Sequence, residues 1–161
     1  MEDGLRLEIR HPRSSHDWLK IREICCATGR GGDPIEADRE PFFGELWIGP
    51  YQKLRPRWTY LAESIDAAGT SRTVGYLTGC PDTRRFQAES LLFFKLPLLF
   101  RIFLARKGAG PDTRSFARRL LRIERSPIDY FPTQLRRRMT RDFPAHLHIN
   151  LESSVRGKGV G

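Results

Sequence analysis

Ala145-His146-Leu147-His148-Ile149-Asn150-Leu151 and, four residues further on, Arg156-Gly157-Lys158-Gly159-Val160-Gly161 form the stretch on which the fold turns. The first run alternates aliphatic residues with His146, His148 and Asn150, the period-two pattern of a β-strand with unlike faces. The second run sets glycines between two cations. Glycine lets the backbone turn tightly and approach a ligand closely, and successive exposed N–H groups form an anion-binding concavity. A strand that delivers the chain into such a loop suits a phosphate, and a helix following it would add a positive N-terminal end. Taken alone, the hexapeptide reads equally well as a charged terminus.

Working upstream, Leu5, Leu7 and Ile9 alternate with Arg6, Glu8 and Arg10, which predicts a first strand ended by Pro12. Ser14 or Ser15 offers an N-cap ahead of Asp17, and Trp18, Leu19, Ile21, Cys25 and Cys26 then suit one helical face. The glycine cluster from Thr28 to Pro34 breaks that helix. A second helical stretch begins near Pro41, carries Phe42, Phe43, Leu46, Trp47 and Ile48, and is expected to close at Gly49-Pro50. Trp58 to Glu63 and Thr73 to Thr78 read as an antiparallel hairpin around the turn residues Asp66 to Ser71. The expected order is strand, helix, helix, strand, strand, insert, strand, glycine loop.

The insert, about 84–141, carries the charge. Of the 28 Lys and Arg in the 161-residue chain, 15 fall there against 4 of the 19 Asp and Glu, a local balance of +11 that leaves −2 for the rest. The run from Leu91 to Leu104 is strongly apolar, yet it holds two cations and a proline and falls short of the ~20 apolar residues of a membrane span. Phe116, Leu120 and Ile123 recur at helical spacing among arginines, which predicts a basic amphipathic helix. A nucleic-acid or acidic-surface binding module is the reading this charge suggests. Against it, no nucleic-acid motif is present, and the aromatics sit in aliphatic runs rather than interleaved with cations. Specific nucleic-acid binding is therefore not expected.

Three cysteines make no even disulfide framework, and the first ten residues show no charged-then-apolar leader, so a reducing, cytoplasmic setting is expected. His146 and His148 share a strand face at a spacing that suits a general base or two metal ligands. No third ligand of convincing spacing accompanies them, so no metal is expected, and His148 is the weak candidate for a base.

Arg156 to Gly161 matches the R/Q-x-x-G-x-G/A signature of GNAT N-acetyltransferases. The fragments CCATGRGGDP (25–34), LWIGPY (46–51), VGYLTGCPDTRRF (74–86) and FPAHLHINL (143–151) resemble bacterial GNAT proteins related to the acetyltransferase-like C-terminal domain of protein O-GlcNAc hydrolases. The resemblance spans nearly the whole chain, the insert matching worst. It implies an α/β (α+β) acyl-CoA N-acyltransferase fold, a mixed central sheet with flanking helices. On this reading residues 1–161 are the N-terminal part of one such domain, truncated after the fourth strand and ending within the pyrophosphate loop.

The resemblance further implies an N-acetyltransferase that moves an acetyl group from acetyl-CoA to an amine of a small molecule or peptide. Arg156, Gly157, Lys158, Gly159, Val160 and Gly161 would hold the cofactor's pyrophosphate. Ile149 and Leu151 would offer main-chain groups to its pantetheine arm and thioester. Asp33, Tyr51 and Asp82 match recurring positions that line the acceptor cleft, although the two aspartates border prolines and suit turns, and Tyr51 suits core packing. A fourth strand left as an unpaired edge invites self-association. A catalytically silent interaction domain of the same fold is the alternative.

Overall fold

The computed structural model describes residues 6–104 and 131–157. The expected basic helix around Phe116 to Ile123, and Lys158 to Gly161 of the glycine loop, lie outside the described residues. Strand β1 (Arg6–Arg10) leads into helix α1 (Ser15–Thr28), helix α2 (Glu40–Leu54), strand β2 (Thr59–Ile65) and strand β3 (Ser71–Cys80). Helices α3 (Thr83–Ser90), α4 (Leu96–Leu104) and α5 (Thr133–Asp142) occupy the insert, and strand β4 (His146–Leu151) follows. The four strands form one sheet in the order β1-β2-β3-β4, with antiparallel neighbours throughout. The sequence-predicted order of elements is the observed one.

Local chemistry sets the ends of α1. Ser14 caps it, its hydroxyl accepting from the Asp17 N–H at 3.2 Å, while Asp17 Oδ2 accepts in return from the N–H of Ser14. This reciprocal pair satisfies two donors that a helix start otherwise leaves open. The face that α1 buries is Trp18, Ile21, Ile24, Cys25 and Cys26; Leu19, assigned to that face from spacing, stays exposed, and Ile24 takes its place. Helices α1 and α2 pack on the same side of the sheet, enclosing Phe43, Leu46, Ile48, Leu61 and Tyr76 with them. A smaller cluster on the opposite side joins Ala62, Val74 and Val155.

Helix α2 does not close at Gly49-Pro50. It runs through Pro50 to Leu54. A residue before proline is normally pushed out of the helical region because its Cβ meets the proline ring, and Gly49 has no Cβ. The consequence is functional. Tyr51, expected after the helix, sits inside it, buried and aimed at the sheet.

The hairpin bulges where Ala62 pairs with Gly75 but Glu63 pairs with Thr73, leaving Val74 as the extra residue. Bulges of this kind re-aim side chains. Val74 accordingly joins the cluster opposite to that of Tyr76.

Candidate functional site

A cleft of about 560 Å³ opens where the C-terminal end of α1, the middle of α2 and the strands β3 and β4 meet. Its volume falls in the range of small-molecule sites, roughly 300–1,000 Å³. Phe43, Trp47 and Ile48 supply apolar wall, and Tyr51, Thr78, His148, Asn150 and Arg156 supply polar groups.

The strand register explains which parts of β4 face the cleft. Asn150 pairs with Tyr76, His148 with Thr78 and His146 with Cys80, so these three side chains share the helix-covered face. The Glu152 N–H donates to the Val74 carbonyl at 2.9 Å. Antiparallel ladders alternate, so the main-chain groups of His146, His148 and Asn150 point to β3, whereas those of Leu147, Ile149 and Leu151 point outward. One of these outward groups has found a partner. Arg156 Nε donates to the Leu151 carbonyl at 2.9 Å.

Arg156 also reaches the glycine turn after α1. A Cβ built on Gly32 would lie 3.0 Å from its Nη1, and Gly31 and Gly32 hold φ of +67° and +110°, which only glycine adopts cheaply. The cation therefore bridges the end of β4 and the turn at the cleft rim. Gly157 follows at φ +74° and starts the next turn.

Behind the cleft wall lies a chain of hydrogen bonds. Tyr51 Oη is 2.7 Å from His146 Nε2, and His146 Nδ1 is 2.8 Å from Thr83 Oγ1. Thr83 Oγ1 donates to the Pro144 carbonyl at 2.6 Å, a group that can only accept. The Thr83 hydroxyl hydrogen is thereby committed, so Nδ1 must be the donor to Thr83. Nε2 is then left as the acceptor of the Tyr51 hydroxyl. In the neutral ring, which burial favours, this fixes the tautomer and turns the Tyr51 lone pairs away from His146. Cys80 Sγ lies 3.3 Å from the same Nδ1. Burial, and secondarily the His148 charge, holds the His146 pKa below the ordinary imidazole value. Burial alone does the same for His148, whose ring meets the edge of Trp47 at 5.6 Å. Burial also raises the Tyr51 pKa well above the ordinary phenol range, so the group enters any reaction as a neutral phenol.

The sequence-predicted site residues divide. Tyr51, His148, Ile149, Leu151 and Arg156 all line the cleft. Asp33 stands apart, exposed, its main chain exchanging bonds with Arg30 to close the glycine turn. Asp82 caps α3, accepting from the Arg85 N–H at 3.0 Å. Sequence reasoning missed Thr28, whose hydroxyl accepts from Asn150 Nδ2 at 2.7 Å, as well as Trp47 and Thr83. Strand spacing singled out His146 and His148 together, but only the fold shows which of them Tyr51 engages. Among the described residues no cluster of three or more His, Cys, Asp or Glu suits a metal ion, and no helix is long and apolar enough to cross a membrane.

The sheet with its flanking helices defines an acetyltransferase-like fold. The crystal structure of SsHAT superposes with a TM-score of 0.60 at 26% sequence identity, over 95% of this chain and 70% of that one. No protein-family model matches the chain.

Proposed function

We propose that the protein is a GNAT-type N-acetyltransferase that uses acetyl-CoA and acetylates an amine in the cleft between α1, α2 and β4. The observation that carries this reading is the outward-facing main chain of β4 beside a cleft that also contains Tyr51, a phenol backed by a neutral histidine. The residues fit the co-substrate: Ile149 and Leu151 have main-chain groups free of β3 to meet a pantetheine amide and thioester, and Arg156 with Gly157 begins the turn suited to a pyrophosphate. Bound acetyl-CoA supplies an acetyl group activated as a thioester.

The protein's own contribution is to hold the amine and take its proton. Tyr51 Oη, its hydrogen committed to His146, presents a lone pair to an amine N–H. As the nitrogen becomes electron-deficient, its proton passes to Tyr51 while the Tyr51 proton passes to His146 Nε2. The lowered His146 pKa keeps Nε2 an acceptor at neutral pH and returns the proton readily to solvent. Phe43 and Trp47 give the cleft apolar wall beside the reacting groups. His148, on the same strand face as His146 and beside Trp47, is left to position substrate.

Release of free thiol from acetyl-CoA in the presence of small amines tests the reading. The expected outcome is amine-dependent release that falls when Tyr51 becomes Phe. A well-folded protein that binds acetyl-CoA without turnover on any amine would favour the catalytically silent domain.

A further inference from the structure

The insert presents a surface that the cleft does not use. In α4 and the π-helical turn before it (Leu91–Lys95), Leu92, Leu96, Phe100 and Leu104 recur every four residues, and Phe93 lies beside Leu92. Residues four apart stack on one helix face, and here that face is outward: the five side chains are 50–65% exposed, while Phe94 and Leu98 on the opposite side are buried. This inverts the ordinary surface helix, whose solvent face is polar. Lys95 and Arg101, both exposed, flank the ridge on either side. From Leu92 to Leu104 the ridge runs roughly 18 Å at 1.5 Å per residue.

We propose that this ridge docks in the plane of an anionic lipid bilayer, its apolar face sunk among the acyl chains and its cations at the headgroups. An in-plane helix needs an apolar face, cations at its flanks and no length to span, and α4 has all three. Charge complementarity favours this occupant, since the segment 84–141 carries a balance of +11 whereas the rest of the chain is −2. Long basic side chains reach the headgroup level while their stems stay apolar. Nucleic acid answers the same charge but not the ridge, because leucines do not stack on bases. A second copy of the chain answers the ridge but not the charge, since two such surfaces repel.

Flotation of the whole protein with vesicles of phosphatidylserine and phosphatidylcholine, against phosphatidylcholine alone, tests the proposal. Binding is expected to the anionic vesicles, to weaken with salt, and to fall at least about tenfold in Phe93→Ser/Phe100→Ser and in Lys95→Glu/Arg101→Glu, whose changes are all at exposed positions. Circular dichroism checks that both variants keep the wild-type fold. Equal binding to neutral vesicles, or binding unaffected by either double variant, overturns it. So does absence of vesicle binding in a protein that Phe93→Ser/Phe100→Ser converts from oligomer to monomer, which would assign the ridge to a second copy, or in one that retains duplex DNA.

Discussion

The two ends of the sheet hold polar groups in opposite ways. At the β1–β2 end, Arg10 makes paired bonds to Asp17 at 2.9 Å and to Glu63 at 2.7 and 2.8 Å, and Asp17 also accepts from the N–H groups of Arg13 and Ser14. Every strong group there is matched by a neighbour. At the β4 end, Tyr51, His146 and Thr83 form a directed chain that starts from Tyr51 in the wall of a cleft. The first arrangement ties β1, α1 and β2 together and has nothing left to offer a ligand. The second borders a cavity, and a polar network beside a cavity is where a substrate adds to the bonding.

Breaking the first end should cost the most stability. Asp17→Asn leaves Arg10 its bonds to Glu63 but takes away the charged acceptor of its two bonds to Asp17, and hydrogen bonds to charged groups are worth about 1.5–3 kcal/mol each. Chemical denaturation should show that loss with acetyl transfer per folded molecule little changed. The Arg10 guanidinium holds the Asp17 carboxyl well below the usual carboxylate range. A depressed folded pKa gives stability that is full above the unfolded value, about 4, and is lost as pH falls from there toward the folded one. The denaturation midpoint should therefore decline with acidification in the wild type, and less steeply in Asp17→Asn.

Tyr51→Phe sharpens the contrast from the other side. Removing the hydroxyl that leads to His146 should lower kcat/KM by about 10²-fold or more, the range of positioned acid–base groups, while costing only about 1 kcal/mol of stability. His146→Asn should also slow transfer and should remove an acidic limb from the pH–rate profile. That limb is expected below the ordinary imidazole value of about 6.5, since burial lowers the His146 pKa and only the neutral ring accepts the Tyr51 proton.

Gly75→Ala probes whether β4 must sit where it does. A Cβ there would meet the end of the Leu151 side chain and lie 3.0 Å from the Asn150 carbonyl, so Leu151 must turn aside and β4 must give slightly. Overpacking of this kind costs about 1–3 kcal/mol, and the displaced edge should weaken acetyl-CoA binding measured by competition with CoA. The smallest effect concerns the thiols. Cys26 is pushed up to about 11 and Cys25 is raised as well, both chiefly by burial. Native protein should therefore resist iodoacetamide at Cys25 and Cys26, with mass spectrometry showing modification only after unfolding.

The elements were legible in the sequence because their causes are local. The capping box of Ser14 and Asp17, the alternation in His146–Leu151 and the turn residues from Asp66 to Ser71 act within a few positions. Of the residues that line the cleft, Tyr51, Ile149, Leu151 and Arg156 were named through the family resemblance, which rests on short local fragments and the glycine loop. Tyr51 and His146 are 95 residues apart, and no periodicity links them. Their meeting depends on α2 continuing past Pro50, which the proline alone argued against and the preceding glycine permits. The Arg10–Asp17–Glu63 cluster was hidden for a similar reason, since Glu63 joins through strand pairing with Glu8 rather than through sequence.

Calorimetric titration of acetyl-CoA into the protein, alongside Arg156→Glu, is the most direct test of the central claim that the cleft at β4 is an acyl-CoA site. Saturable binding at one site is expected, weakened at least about tenfold when the charge at the rim is reversed. A flat titration with folded wild-type protein, or binding indifferent to Arg156, would contradict it.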